Sequence, residues 1–219
     1  MDNLNKLVVW GVGTTRTMRV HWLLHELGIS YDTRRIESRT GETGLADYSS
    51  INPKKKIPTL TDGDMIVTES MAIMRHIRRN YDPIGYDEYQ CSGEGLAAYD
   101  EWASFILMEL DATSLYVIRR HKDLPHIYGE AENAITSSIE YFGRMIDSIV
   151  HRTEGQEYLW GSTFSELDIL MAGILDWASL IAIDIPPALT EYHTRMTSRP
   201  AYLNARKFNF SGLQIPLGR

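Results

Sequence analysis

The stretch Asn52 to Leu60, which reads NPKKKIPTL, carries the strongest structural signal in this chain. Pro58 stands where a short apolar strand begins. Since proline cannot donate a ladder hydrogen bond, it belongs at a sheet edge or in a bond of special geometry such as a cis bond. The backbone N–H and carbonyl of Ile57 would then be free to pair with an extended peptide, as an added strand does. The alternative is an ordinary turn with no ligand.

Glu69 and Ser70 follow nine and ten residues beyond Leu60, at the start of a predicted helix. A hydroxyl and unpaired N–H groups at a helix N-terminus attract a carboxylate, and a neighbouring carboxylate attracts an ammonium. The pair therefore suits the α-amino-acid end of a γ-glutamyl group, although helix capping alone would also explain it.

The residues around this stretch predict the order βαβ and then ββα for the first 80 residues. The predicted strands are 6–12, 29–36, 57–60 and 65–68, and the predicted helices are 17–27 and 70–80. The first strand, helix and second strand form a parallel unit, whereas Asp62-Gly63 predicts a tight hairpin. Residues 37–50 are predicted to be a polar loop.

Beyond Pro83 the pattern is helical almost throughout. The predicted helices are 95–121, 129–152, 165–183 and 189–196. We therefore expect an α/β domain at 1–82, a linker at 83–94 and an all-helical domain at 95–219.

Composition limits the classes of function. Residues 1–80 contain 12 Lys and Arg against 9 Asp and Glu, a net charge of +3, whereas the whole chain carries −7. The acidic total argues against a nucleic-acid partner, while the mildly basic first domain suits a small anion. Cys91 is the only cysteine, which excludes an internal disulfide or a CxxC centre. The absence of a long apolar run and the polar start at Met1 to Lys6 predict a cytoplasmic protein with no membrane partner.

These motifs together resemble the glutathione transferase family. The resemblance rests on NPKKKIPTL with Glu69-Ser70, RVHWLLHELGI at 19–29, GSTFSELD at 161–168 and RPAYLNA at 199–205. In GSTFSELD, Ser165 and Asp168 have the spacing of a helix capping box. The resemblance implies a thioredoxin-like first domain, glutathione as co-substrate, no metal, and a homodimer of the soluble theta-like or nu-like kind acting in detoxification.

By this resemblance Pro58 is the cis-proline of the thioredoxin-like domain, and Ile57 pairs with the cysteinyl backbone of glutathione. Lys55 or Lys56 would meet the glycine carboxylate, although a solvated charge run is the alternative. Glu69 and Ser70 would hold the γ-glutamyl end. The resemblance also implies that Asp100 reaches the glutathione of the partner subunit.

The turn after the first strand, GVGTTRT at residues 11–17, contains none of the Tyr, Ser or Cys residues that the family places there. Thr14 falls at the position of the serine-type and cysteine-type residue, and Thr15 follows it. Either hydroxyl could donate to the glutathione sulfur, and Arg16 would add a cation that favours thiolate. The threonines could equally serve only as helix caps.

The electrophile site is expected to include Val12, Phe105, Met108 and Tyr116, although such residues often belong to a helix core. The leading interpretation is an enzyme that activates glutathione for attack on an electrophile or a disulfide. The alternative is a family member that binds glutathione or apolar ligands without turnover. A thioredoxin-type reductase is disfavoured by the single Cys91.

Overall fold

The computed structural model describes residues 7–82, 93–160 and 162–214. These residues fall into two compact units, one containing residues up to 82 together with 199–214, and the other containing 93–198. Cys91 and most of the predicted linker 83–94 lie outside the described residues. Among the described helices, none is both long and apolar enough to cross a membrane.

The first unit contains a four-stranded mixed sheet in the order β2-β1-β3-β4. Its strands are β1 (Leu7–Val12), β2 (Asp32–Glu37), β3 (Thr59–Asp62) and β4 (Met65–Thr68). β1 pairs in parallel with β2 and antiparallel with β3. The hairpin between β3 and β4 turns at Gly63, whose φ of 57° is the left-handed conformation that glycine adopts readily. The predicted βαβ-ββα order is therefore confirmed.

Helices α1 (Thr15–Glu26) and α2 (Ala46–Ile51) connect strands of this sheet, and α3 (Ser70–Tyr81) follows β4. Helix α2 lies in the segment predicted to be a loop, and that prediction was wrong. Six residues are too few to show a helical period, and Tyr48 supplies the buried contact of the helix. β2 begins three residues later than predicted because Ile29 donates to the Leu24 carbonyl and closes α1.

The second unit is all-helical, as predicted. It contains α4 (Gly93–Phe105), a π-helical stretch (Ile106–Leu115), α5 (Tyr116–Ile118), a second π-helical stretch (Arg119–Asp123), α6 (Pro125–Tyr128), α7 (Glu132–Thr153), α8 (Glu166–Leu180) and α9 (Pro187–Thr197). Thus the single helix predicted at 95–121 changes its hydrogen-bond pattern along its length.

Helix α8 is the buried centre of the second unit. Ser165 caps it, and the fully buried Asp168 completes the capping box that the sequence predicts. The Asp168 carboxylate accepts hydrogen bonds from the backbone N–H groups of Leu159 and Ser165, each at 2.8 Å, and from the Tyr192 hydroxyl at 2.8 Å. Burial nevertheless raises the pKa of Asp168.

The last helix, α10 (Pro200–Phe210), packs against α1 within the first unit. Trp22 and Tyr202 meet edge to face with ring centroids 4.9 Å apart, and the Arg199 guanidinium forms a bidentate ion pair with Glu26 at 2.7 and 2.9 Å. This helix falls within the range 95–219 that the sequence assigns to the helical domain. Its amphipathic pattern indicates a buried face but does not identify the partner of that face.

Candidate active site

The turn between β1 and α1 is built around a reciprocal cap. Thr14 has extended backbone geometry and is the N-cap of α1, and its Oγ1 accepts from the Thr17 N–H at 3.0 Å. Thr17 Oγ1 in turn accepts from the Thr14 N–H at 3.0 Å. The two hydroxyl oxygens are 3.1 Å apart. Thr14 is therefore a cap with its side chain half-buried at the start of the helix.

Thr15 and Arg16 occupy the first two positions of α1, and both are half-buried. Val12, in contrast, is the buried last residue of β1. The structure thus brings together Thr14, Thr15 and Arg16 in one turn, with the N-terminal end of α1 adding a partial positive charge there.

The loop before β3 lies against the end of β1. The Ile57–Pro58 peptide bond is cis, as expected from the sequence. The ladder between β1 and β3 ends at the pair Trp10 and Thr59, so the N–H and carbonyl of Ile57 lie beyond it. A Cβ built on Gly11 would stand 2.5 Å from the Ile57 Cβ, which shows how closely this backbone approaches Ile57.

Two buried side chains hold the three-lysine segment in place. Asn52 Nδ2 donates to the Lys56 carbonyl at 2.8 Å and to Thr59 Oγ1 at 3.0 Å, and Asn52 Oδ1 accepts from the Lys54 N–H at 3.1 Å. The Tyr48 hydroxyl donates to the same Lys56 carbonyl. Burial raises the pKa of Tyr48, which keeps the hydroxyl protonated as a donor. This network determines the path of the chain into Ile57.

The lysine side chains themselves are exposed. Lys54 Nζ is paired with the Glu69 carboxylate and also donates to Thr68 Oγ1 at 3.0 Å. Lys55 adopts a left-handed backbone with φ of 54°. Lys54 thus contacts a candidate residue, Glu69, through its side chain. The sequence, in contrast, assigns a site role to Lys55 or Lys56.

Glu69 and Ser70 form the N-terminal end of α3. Glu69 is the N-cap with φ of 71°, an uncommon conformation for a residue with a side chain. Such conformations persist where the surroundings enforce them and are frequent at ligand sites. The buried Ser70 hydroxyl lies 3.4 Å from Arg19 Nη1, which donates to it. This contact joins the first helix to the start of α3.

The remaining candidates belong to the second unit. Asp100 is exposed on α4, Phe105 is half-buried at the end of α4, Met108 is 59% exposed in the first π-helical stretch, and Tyr116 is half-buried in α5. Their part in a ligand site stays a prediction.

Sequence reasoning missed one polar residue at the turn, Asn209 of α10. Its side chain is fully buried. Oδ1 accepts from the Thr17 hydroxyl at 2.8 Å and from the Gly13 N–H at 3.2 Å, and Nδ2 donates to the Thr14 carbonyl at 3.2 Å. The sequence shows only an asparagine between two phenylalanines in FNF, residues 208–210. Its burial, and therefore its need for hydrogen-bond partners, is a finding of the structure.

A buried histidine is hydrogen-bonded to the backbone near the end of β1. His21 Nε2 donates to the Gly11 carbonyl at 3.0 Å and the Tyr31 hydroxyl donates to Nδ1 at 2.9 Å. Burial lowers the pKa of His21 to about 4, and the charges of His25 and Arg35 act in the same direction, whereas the bond to Gly11 opposes them. His21 is therefore neutral at pH 7.

Within residues 7–82, 93–160 and 162–214, no group of three or more His, Cys, Asp or Glu side chains could hold a metal ion.

Comparison with solved structures places this fold among glutathione transferases. The transferase URE2P6 of Phanerochaete chrysosporium, solved with oxidized glutathione, has a TM-score of 0.79 at 20% identity, covering 95% of this chain and 98% of that one. A theta class enzyme of Xanthomonas axonopodis pv. citri, solved with glutathione bound, has a TM-score of 0.77 at 22% identity, covering 92% and 97%. At such identities the likeness establishes the fold.

Sequence comparisons assign a family to the first domain. Residues 5–79 match the family model described as Glutathione S-transferase, N-terminal domain. Glutathione S-transferase F10 of Arabidopsis thaliana is 29% identical over 152 residues, which cover 67% of this chain and 68% of the relative. Together with the thioredoxin-like sheet and the helical second unit, these matches identify residues 5–79 as a glutathione S-transferase N-terminal domain in a chain that has the glutathione transferase fold.

Proposed function

We propose that this protein is a glutathione transferase that activates the glutathione thiol as thiolate for attack on an electrophilic or disulfide substrate. The observation that carries the proposal is the Thr14 hydroxyl at the N-terminal end of α1, three residues after Gly11, whose backbone closely approaches Ile57. Relatives of the chain are named glutathione S-transferases, and the related structures contain bound glutathione.

Binding would use the segments around Ile57 and at the N-terminal end of α3 in the first unit. Ile57 lies beyond the β-ladder and would pair through its backbone with the cysteinyl residue of glutathione. Ser70 and the first N–H groups of α3 would bind the γ-glutamyl carboxylate, while Glu69 would bind its ammonium group. Lys55 or Lys56 would bind the glycine carboxylate.

Activation follows from the hydrogen-bond capacity of a threonine hydroxyl, which has one donor and two acceptor positions. Thr14 Oγ1 already accepts from the Thr17 N–H, and this bond does not use the hydroxyl proton. The proton can therefore turn from Thr17 Oγ1, 3.1 Å away, to a thiolate sulfur without loss of the helix cap. The partial charge of the helix N-terminus and the cation of Arg16 would further favour thiolate.

In the conjugation step, the thiolate sulfur would form a bond to an electrophilic carbon, and the leaving group would depart with its electron pair. With a disulfide substrate, the same sulfur would form a mixed disulfide with one half and expel the other half as a thiolate. Both reactions need the thiolate rather than the thiol.

The test is the thiolate absorbance of bound glutathione against pH in Thr14→Val and Thr15→Val. Valine keeps the shape of threonine and removes the donor. We expect Thr14→Val to raise the pKa of the bound thiol by about one unit, which corresponds to about 1.4 kcal/mol of thiolate stabilisation, with a much smaller change in glutathione affinity. An effect confined to Thr15→Val would identify Thr15 as the donor, and unchanged curves in both variants would exclude the hydroxyl mechanism.

A second candidate function is binding of glutathione or apolar ligands without turnover. The observation that favours it is the closed network of the Thr14 and Thr17 hydroxyls, in which the protons already have protein acceptors. Conjugation of an aryl halide by the purified protein would favour the enzyme. Glutathione binding with neither conjugation nor a pH-dependent thiolate signal would favour the binding protein.

We further propose a cytoplasmic homodimer that acts in detoxification, with Asp100 directed to the glutathione of the partner subunit. The opposite net charges of residues 1–80 and 81–219 support a head-to-tail arrangement about a twofold axis. Sedimentation at micromolar protein should show a dimer, and a monomer alone would contradict this proposal.

A further inference from the structure

The segment from Phe208 to Gln214 lies over the β1–α1 turn, and Asn209 is its innermost residue. The side chain of Asn209 is fully buried, and each of its polar atoms bonds to the turn. The backbone contributes as well, because the Gly13 N–H also donates to the Asn209 carbonyl at 3.0 Å. Because the buried amide forms several hydrogen bonds at the same time, its position is well defined.

The bonds of Asn209 determine which way the hydroxyl protons point. Thr17 has two acceptors for its single proton, Asn209 Oδ1 at 2.8 Å and the Thr14 carbonyl at 2.9 Å. That carbonyl already accepts from the Met18 N–H at 3.0 Å and from Asn209 Nδ2 at 3.2 Å. Because these two donors use its two acceptor positions, Oδ1 is left as the acceptor for Thr17. With the Thr17 proton directed at Asn209, the contact between the two hydroxyl oxygens can be made only with the Thr14 proton.

We propose that Asn209 is a positioning residue that keeps the Thr14 hydroxyl oriented as a donor, an inference that rests on the proposed function of Thr14. Asn209 bridges the Thr17 hydroxyl and the Thr14 carbonyl, which holds the Thr14 hydroxyl in the position from which its proton can turn to a sulfur ligand. Without the amide this bridge is lost, and neither the Thr17 hydroxyl nor the Thr14 hydroxyl is held in that orientation.

Anchors on both sides of Asn209 hold the segment on the sheet. The Arg35 guanidinium of β2 donates to the carbonyls of Phe208 and Ser211 at 3.2 and 2.5 Å. Two residues further along the same strand, Glu37 accepts from the Gln214 N–H at 3.0 Å. Between these anchors, the Leu213 side chain lies against Gly13, where an added Cβ would meet it at 2.9 Å.

The experiment is a double-mutant cycle on the full-length protein, using Thr14→Val, Asn209→Leu and the double variant. The readouts are the pKa of the bound glutathione thiol, from thiolate absorbance against pH, and the dissociation constant of glutathione. Each single variant should raise the thiol pKa by about one unit, a tenfold loss of thiolate at a pH below the pKa. The double variant should raise it no further than the larger single effect, because both act through one hydroxyl.

Ala205→Gly is the matched control. Ala205 is a buried residue one helical turn before Asn209, so its replacement loosens the same helix without removing a bond to the turn. We expect this variant to lower stability and leave the thiol pKa unchanged. If Asn209→Leu fails to fold, Asn209→Ser replaces it, since serine is too short to bridge Thr17 and the Thr14 carbonyl.

The outcomes separate the two proposals. If Thr14→Val raises the thiol pKa and Asn209→Leu does not, the inference is overturned and the proposed function stands. Strictly additive effects, or an equal shift in Ala205→Gly, would likewise overturn it, because Asn209 would then act only through general stability. If Thr14→Val has no effect, the hydroxyl mechanism fails and the role of Asn209 fails with it.

Discussion

Replacement of Gly11 by alanine should damage both the stability and the glutathione site of this protein. Gly11 lies in β1 with φ of +117°, a conformation that residues with a side chain rarely adopt. A new Cβ would stand 2.5 Å from the Ile57 Cβ and 2.8 Å from its Cγ2. Ile57 must therefore move, and with it the backbone predicted to bind glutathione.

The magnitude follows from these two effects. Backbone strain of this kind costs about 1–3 kcal/mol, and forcing extra volume into a packed site costs about 1–3 kcal/mol more. We expect the free energy of unfolding to fall by about 2–6 kcal/mol in total. A displaced Ile57 should also lose a backbone hydrogen bond to the ligand. A loss of about 1.4 kcal/mol in binding free energy corresponds to a tenfold weaker affinity for glutathione.

Gly28→Ala is the matched control, because Gly28 has φ of +63° and no atom within 4 Å of an added Cβ. It should cost only the left-handed backbone conformation, about 1–2 kcal/mol, and should leave glutathione affinity unchanged. Urea unfolding and glutathione titration measure both effects. Equal losses of unfolding free energy in the two variants would refute the expected clash between the new Cβ and Ile57. Unchanged glutathione affinity in Gly11→Ala would refute the proposed role of the Ile57 backbone in binding.

Three further predictions concern other buried groups. Ser70→Ala should weaken glutathione binding about tenfold or more in a titration, because hydrogen bonds to charged groups contribute about 1.5–3 kcal/mol; unchanged affinity would place the γ-glutamyl carboxylate elsewhere. The pKa of the buried His21 is lowered to about 4, so the stability supplied by the neutral side chain should be complete above pH 6.5 and be lost as the pH falls toward 4. His21→Gln should therefore reduce the loss of stability in acid by about 3 kcal/mol. Asp168→Asn should lower the free energy of unfolding by about 3 kcal/mol or more, since an amide cannot accept from all the donors around it, and an equal effect of the exposed Asp147→Asn in thermal melts would contradict this reasoning.

Local sequence was sufficient where a structural feature depends on a few adjacent residues. Pro58 indicated the cis bond, Asp62-Gly63 indicated the hairpin, and Ser165 with Asp168 indicated a capping box, because each feature depends on the conformational preferences of a few adjacent residues. The order βαβ-ββα could be predicted for the same reason, since the strands and helices differ in apolar period. Helix α2 could not, because its six residues show no period.

Only the tertiary structure decided how the candidate turn is held. Asn209 lies 192 residues from Thr17 along the chain, and no local pattern indicates that two such distant segments meet. The same is true of α10, whose apolar face could have been buried in either unit and packs on α1. A sequence determines which faces and polar groups must find partners, whereas the choice among distant partners depends on the packing of the whole chain.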